Sequence, residues 1–300
     1  MPESSDSVPI PETHGLTRKY FLFGLIPRDV VMKRRRRLNA RVAIGVVIGV
    51  FIFLAALGAS WLPYSPIEQN LLARRQSPSQ QHLFGLDELG RDNLTRVLYG
   101  ARLSLFVGVG SIALAAIAGG ILGLVAGYRG GWVDSVIMSA LDVMLAFPTL
   151  LLAIAIVVAL GPGLTNVLYA IAFAAVPTYA RLMRVGVLTT KAEEFVHAAR
   201  AVGVPPGRLL IRHILPNCLI SFLAQAPLGI GAAILEGAGL SFLGLGAQPP
   251  TPEWGAMIAQ GRGAVFAAPH IVLFPGLAIM LTVLGFNLLG DGLQDLLNRR

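Results

Sequence analysis

Charged residues are scarce in this sequence, and cysteine is almost absent. Only 13% of the 300 residues are charged, whereas 55% are hydrophobic. Soluble proteins carry about 25% charged residues, so this composition excludes an ordinary water-soluble domain and favours a chain embedded in a bilayer. The single cysteine, Cys218, excludes an internal disulfide and a cysteine-rich metal site. We expect it to be a small, buried, apolar residue.

Lysine is nearly as scarce, and its positions exclude one kind of chemistry. Lys19, Lys33 and Lys191 follow Arg, Met and Thr, so none belongs to the Gly-Lys-Ser/Thr step of a Walker A loop. His-Glu-x-x-His and Gly-x-Ser-x-Gly motifs are also missing from the sequence. We therefore predict that the chain is not itself an enzyme and holds no cofactor or metal. A membrane enzyme is an alternative that loss of a hydrolytic activity on mutating Ser104 or Ser241 would favour.

Positive charge is unevenly distributed along the chain. The net charge is +8, but a nucleic-acid binder would spread its basic residues over one face or interleave them with aromatics. Here they bunch in residues 33–37 and 181–212, as is typical of loops that stay in the cytoplasm. We expect no nucleic-acid partner. Residues 1–17 are polar and acidic, unlike a cleavable signal peptide, and residues 20–26 suit either a short interfacial helix or a plain linker.

Long apolar stretches predict an all-α membrane protein. About 20 apolar residues are needed to cross a bilayer as a helix, and six charge-poor intervals are long enough. Gly161, Pro162 and Gly163 predict a tight turn between the third and the fourth. The six predicted spans are residues 42–62, 101–128, 132–160, 164–180, 217–246 and 270–290.

The basic residues also predict the orientation of these spans. Of the 24 Lys and Arg residues, 18 fall on the side that holds both termini and 6 on the other. Because cytoplasmic loops carry the excess, we expect both termini in the cytoplasm, with residues 1–41 inside and residues 63–100 outside. Glycines at four-residue spacing favour close packing of helices over lining of a pathway. They are Gly45, Gly49, Gly119, Gly123 and Gly127.

Residues 189–217 are rich in helix-boundary signals. The Glu193-Glu194 pair suits the first turn of a helix, and Gly203 suits a left-handed C-terminal cap. The Pro205-Pro206 step suits the start of a second helix, while Pro216 predicts another break. The expected helix, turn and helix form a compact element that could seat in a groove of a soluble partner.

This loop resembles the EAA loop of bacterial ABC-importer permeases. The family pattern is Glu-Ala-Ala, three residues, Gly, nine residues, Ile, any residue and Leu-Pro. The sequence departs from it at His197, where the pattern has Glu, and at His213, where it has Ile. The resemblance implies that the loop couples the chain to an ATPase. The candidate coupling residues are His197, Ala198, Ala199, Arg200, Gly203, Leu215 and Pro216, all but the first and fourth of which match the pattern.

Further segments resemble the dipeptide, oligopeptide and nickel permeases of the C type. They are residues 82–92, 99–105, 239–255 and 286–293, and the resemblance covers most of residues 82–295. Residues 246–257 look most like dipeptide permeases. The resemblance implies the type I ABC-importer permease fold, with residues 101–295 as its core, a bacterial inner-membrane location and import of dipeptides or short peptides. Nickel and glutathione-like peptides stay open as substrates.

The same resemblance implies several partners. They are a second homologous permease subunit, two ATPase subunits that bind ATP and magnesium, a periplasmic or lipid-anchored substrate-binding protein, and membrane lipid. A secondary transporter is the main alternative. It should show corresponding broken helices in inverted halves, and the sequence has no convincing internal repeat. Transport that survives loss of ATP while the proton gradient is intact would favour it.

Two acidic residues lie inside predicted spans, where a charge is costly and often functional. Asp142 and Glu236 either contact the transported substrate or pair with a neighbour such as Arg181 to fix helix packing.

Two polar segments outside the spans offer further candidates. Gln248, Glu253 and Trp254 could form a gate or a surface for the binding protein, or Trp254 could anchor the chain at the lipid headgroups. The charged residues at 87, 88, 91 and 92 could meet the binding protein or form a solvated face.

Overall fold

Helices form nearly all of the regular structure. The computed structural model describes residues 28–297, with side chains from residue 40 onward. Among these residues, the only β pairing is an isolated bridge between Leu86 and Asp92. The helices are α1 (Arg28–Gly58), α2 (Asn93–Arg129), α3 (Gly131–Leu145), α4 (Thr149–Leu160), α5 (Leu164–Lys191), α6 (Glu194–Ala201), α7 (Pro206–Leu209), α8 (Leu215–Ala224), α9 (Ala226–Phe242), α10 (Trp254–Gly261) and α11 (His270–Leu297).

Six membrane spans are present if each of two bent helix pairs counts as one. Within the described residues, four stretches are long and apolar enough to cross a bilayer alone: Ala40–Trp61, α2, α5 and α11. The bent pairs are α3 with α4, at 87°, and the run from Pro206 to Ala224 with α9, at 43°. The prediction of an all-α protein with six spans is therefore confirmed, provided that each bent pair is counted as one span. The predicted signal-free N-terminus and the segment at 20–26 lie outside the described residues.

Two helices extend further than the charge pattern predicts. The second helix begins at Asn93 rather than 101 because the Asp92 carboxylate accepts a hydrogen bond from the Thr95 N–H at 2.8 Å, which caps the helix. The fourth predicted span continues from 180 to Lys191. Its two arginines, Arg181 and Arg184, form ion pairs with α3, so they do not mark a loop.

Two prolines lie at bends within the predicted spans at residues 132–160 and 217–246. Pro148 separates α3 from α4, because proline lacks an N–H and disfavours helical geometry in the preceding residue. Pro227 lies in the first turn of α9, directly after the bend at Gln225. The span predicted over residues 132–160 is therefore present as two helices bent by 87°. The predicted turn before α5 is confirmed, since Gly161 has φ +91°.

Among the described residues, the most extensive contact between two helices is that of α2 with α5. Residues from 41 onward form one compact unit. A Cβ at Gly123 would lie 2.1 Å from the Ala180 carbonyl oxygen, and one at Gly119 would lie 2.6 Å from the Val176 carbonyl oxygen. These two glycines therefore let the backbones of α2 and α5 touch, which confirms the prediction that they serve close packing of helices. Gly49 is different, since it faces open space.

Candidate functional site

The helix–turn–helix loop (residues 192–209) has the predicted local geometry. Glu193 occupies the position before α6, and Gly203 follows this helix with φ +81°. The Val204 N–H donates to the Ala199 carbonyl oxygen at 3.1 Å, which closes the end of α6. The next helix begins at Pro206, where the missing N–H costs nothing.

The predicted break at Pro216 is wrong. Helical structure continues from Pro206 to Ala224 through a π-helical turn at Leu210–Ile214. The Leu215 N–H donates to the Leu210 carbonyl, five residues back. Pro216 then lies in the first turn of α8, and the wider turn before it accommodates a residue that has no N–H to donate.

Buried side chains and one hydrogen bond fix the loop to the neighbouring helices, and Lys191, the residue directly before the loop, adds two more hydrogen bonds to α2. Val196 is fully buried and Leu209 nearly so, both within the main hydrophobic core. The Lys191 Nζ donates to the carbonyls of Gly127, at 3.1 Å, and Tyr128, at 2.9 Å, at the end of α2. The Tyr128 hydroxyl donates to the Pro206 carbonyl at 2.8 Å. Movement of the loop would therefore be transmitted directly to α2.

The opposite face of the loop is open. Most of the candidate coupling residues are exposed, whereas Ala199 and Leu215 are partly buried against the core. Val202 is 80% exposed at the turn. The exposed candidates are His197, Ala198, Arg200, Gly203 and Pro216.

Two of the three candidates in the 248–254 segment lie inside the protein. Trp254 is 1% exposed and its indole N–H donates to the Val97 carbonyl at 2.8 Å. Glu253 is 2% exposed, and its carboxylate accepts from the Ala256 N–H at 3.0 Å as the cap of α10. Gln248 is exposed, but its amide is bound to the carbonyls of Gly244 and Gly246. In this conformation Glu253 and Trp254 are enclosed by the protein.

Burial also changes the protonation of Glu253. Removal of the carboxyl from water raises its pKa above the usual value of 4.5. Hydrogen bonds from the backbone N–H groups of Ala256 and Gly255 lower the pKa, but by less. The side chain is therefore an interior group whose ionisation opposes folding.

The charged residues at 87–96 form an internal network instead of a solvated face. Asp87, Arg91 and Arg96 are each at most 5% exposed. The Asp87 carboxylate binds the Arg91 Nε at 2.7 Å and lies 3.4 Å from the Arg96 Nε. Arg91 also donates to the Gln260 Oε1 at 3.0 Å, which joins this segment to α10. We call residues 82–96 and 247–262 together the polar block.

The two intramembrane acids have different surroundings. Asp142 accepts from Arg181 at 2.6 Å, and both side chains are about half exposed. Glu236 forms no hydrogen bond or ion pair with any residue that the structure describes, and its side chain lines a cleft of about 230 Å³ between α2, α5 and α9. The sequence contained no sign of this cleft, because its walls come from helices far apart in the chain.

Comparison with known proteins gives the family. The model of the "binding-protein-dependent transport system inner membrane component" matches residues 119–300. The dipeptide transport system permease protein DppC of Alkalihalophilus pseudofirmus is 52% identical over 253 residues, 84% of this chain and 83% of the relative. The glutathione transport system permease protein GsiD of Pectobacterium atrosepticum is 45% identical over 269 residues, 88% of this chain and 89% of the relative.

A second glutathione permease relative is similar to the same extent. The GsiD protein of Escherichia coli O6:K15:H31 is 46% identical over 270 residues, 88% of this chain and 87% of the relative. The apolar helices agree with a multi-pass protein of the bacterial inner membrane. The chain belongs to the family of binding-protein-dependent transport system inner membrane components, and its fold is that of type I ABC-importer permeases.

Proposed function

We propose that this permease subunit carries dipeptides, or other short peptides, inward across the membrane. The observation that carries the proposal is the loop at residues 192–209, which is fixed to α2 on one face and open on the other. Such an element suits transmission of force from another chain. The named substrates of the relatives, a dipeptide and glutathione, support a short peptide as cargo.

The open face of the loop is proposed to dock on an ATPase subunit. Gly203 and Ala198 leave the backbone accessible, and Arg200, Arg208 and Arg212 add exposed positive charge. Glu193 and Glu194 are exposed as well, so we expect acidic groups in the partner only around the arginines. ATP and magnesium would bind to two ATPase subunits, since this chain has no Walker A sequence. A second permease and a periplasmic or lipid-anchored binding protein would complete the importer.

Both termini are proposed to lie in the cytoplasm, which puts the loop on the ATPase side. Eighteen of the 24 basic residues fall on this side. Reversing the positive charges at residues 33–37 should disturb the orientation. Protease accessibility in spheroplasts measures it, and an unchanged cleavage map would contradict the assignment.

Uptake of a labelled dipeptide tests the substrate. Cells that lack their other peptide importers are compared with and without this chain, with its native partner genes present in both. Loss of uptake on deletion is the expected result. Unchanged dipeptide uptake would overturn the dipeptide assignment, and the same cells would then be tested with glutathione, which two relatives support, and with longer peptides and nickel.

A further inference from the structure

A cleft lined by Glu236 offers a binding site within the membrane-spanning region. It has a volume of about 230 Å³ and lies between α2, α5 and α9, next to the start of α4. Much of its wall is alanine and glycine. Its polar lining residues are Thr149, Thr178, Tyr179, Gln225 and Glu236.

Four of these five polar groups have no side-chain hydrogen bond or ion pair among the described residues: Thr149, Thr178, Tyr179 and Glu236. The Glu236 carboxylate makes no hydrogen bond or ion pair there. The hydroxyl of Tyr179, a residue only 3% exposed, is buried without a hydrogen-bond partner. A buried polar group left unpaired costs about 1–3 kcal/mol. Gln225 is different, because its Oε1 accepts from the Gln294 amide at 2.5 Å.

The Tyr179 hydroxyl and Glu236 lie along the same face of α9. A Cβ at Gly229 would lie 2.2 Å from the Tyr179 hydroxyl oxygen, so the hydroxyl rests against α9 at this glycine. Glu236 is two turns further along the same face of α9, so the two backbone positions are about 10.5 Å apart along the helix axis.

The chemistry of the lining favours an ammonium group over a metal ion. A carboxylate in apolar surroundings is stabilised by a cation. The described residues contain no group of three His, Cys, Asp or Glu side chains able to hold a metal. Ligand pockets usually measure about 300–1,000 Å³, so this smaller cleft suits one end of a peptide. Its alanine and glycine walls carry no group that would select among side chains.

We propose that the cleft is a peptide-end subsite, in which Glu236 binds the N-terminal ammonium of a passing peptide beside Tyr179. This inference rests on the proposed function as a peptide permease. It explains how the subunit can hold peptides of varied sequence, because every unblocked peptide presents the same ammonium group.

Uptake by Glu236→Gln and Tyr179→Phe is the first test. We expect initial dipeptide uptake at subsaturating peptide to fall about 10-fold for Glu236→Gln, which corresponds to about 1.4 kcal/mol, and less for Tyr179→Phe. Leu235→Ala is the matched control, since this neighbour on α9 is 57% exposed and lies outside the cleft. Equal membrane levels of all variants are checked by immunoblot. Uptake by Glu236→Gln equal to that of the control would overturn the subsite.

Thiol labelling tests the charge of the cleft independently of transport. In a Cys218→Ala background, Ala232→Cys places a thiol at an exposed position in the cleft. A cationic methanethiosulfonate reagent should label it several-fold faster than an anionic one of similar size, and Glu236→Gln should remove the difference. Excess dipeptide should slow labelling in the complete transporter. Equal rates for both reagents with Glu236 present would overturn the proposal.

Different results would overturn the proposed function and the subsite. If the wild-type chain supports no uptake of dipeptide, glutathione or longer peptides, the proposed function fails. If it supports dipeptide uptake that Glu236→Gln does not reduce, only the subsite fails.

Discussion

The helix–turn–helix loop and the polar block contain equally conspicuous sequence motifs but use them in opposite ways. The loop exposes most of its motif residues, including His197, Arg200 and Gly203. The polar block encloses Asp87, Glu253 and other polar residues, each at most 5% exposed. A sequence segment dense in glycine, proline and charged residues can therefore be exposed or buried in the folded protein. In the loop these residues are open to solvent, where the proposed ATPase partner would meet them, and in the polar block their partners lie elsewhere in the same chain.

The largest loss of stability is expected in the polar block. Trp254→Ala removes a buried indole and its hydrogen bond to Val97, which should lower the free energy of unfolding by about 3–5 kcal/mol. Thermal unfolding of the purified protein in detergent measures it. Trp61→Ala is the control, because that indole is 88% exposed. Equal effects of the two substitutions would break the contrast between buried and exposed motif residues.

A smaller loss of stability is expected directly before the loop, where the end of α5 is bonded to α2. Lys191→Met removes the hydrogen bonds to the Gly127 and Tyr128 carbonyls, for an expected loss of about 1.5–3 kcal/mol. Hydrogen exchange over residues 194–209 should become faster. Arg208→Met, in the same loop but exposed, should leave exchange unchanged. Protection that persists in Lys191→Met would show that the buried side chains and the Tyr128–Pro206 hydrogen bond hold the loop without Lys191.

Gly203→Val tests the exposed face of the loop. Valine at φ +81° costs roughly 1–2 kcal/mol of backbone strain, so membrane insertion should stay normal. We expect the altered turn to uncouple ATP hydrolysis by the partners from transport, measured as peptide imported per ATP. Gly207→Val is the matched control, since Gly207 also faces open space but has no left-handed backbone. Intact coupling in Gly203→Val would count against docking at this turn.

The smallest effect is a pH dependence from Glu253. Its pKa is raised in the folded state, so the folded protein holds this proton more tightly than the unfolded chain. The contribution to stability is complete below the usual pKa of 4.5 and is lost as pH rises through the raised value. Glu253→Gln should flatten the fall of melting temperature with pH. Glu68→Gln, at an exposed position, should leave the slope unchanged, and an equal slope in Glu253→Gln would contradict the assignment.

The features that were predicted correctly from the sequence depend on interactions between residues close together in the chain. Hydrophobic length gives the number of spans, although two of them are bent pairs. The turn at Gly161, the left-handed cap at Gly203 and the helix start at Pro206 depend on backbone preferences that act within a few residues. The α2 glycines that touch α5 were predictable for the same reason, since small residues at four-residue spacing form one helix face.

The sequence by itself determined the all-α membrane fold, the geometry of the loop and the family resemblance, because these depend on composition, local backbone preferences and order along the chain. Only the tertiary structure decided that Trp254 and Glu253 are enclosed, that Asp142 has a partner and that Glu236 faces a cleft. Each of these depends on side chains tens of residues apart. Exposure and pairing are properties of such contacts, which hydropathy and charge patterns do not encode.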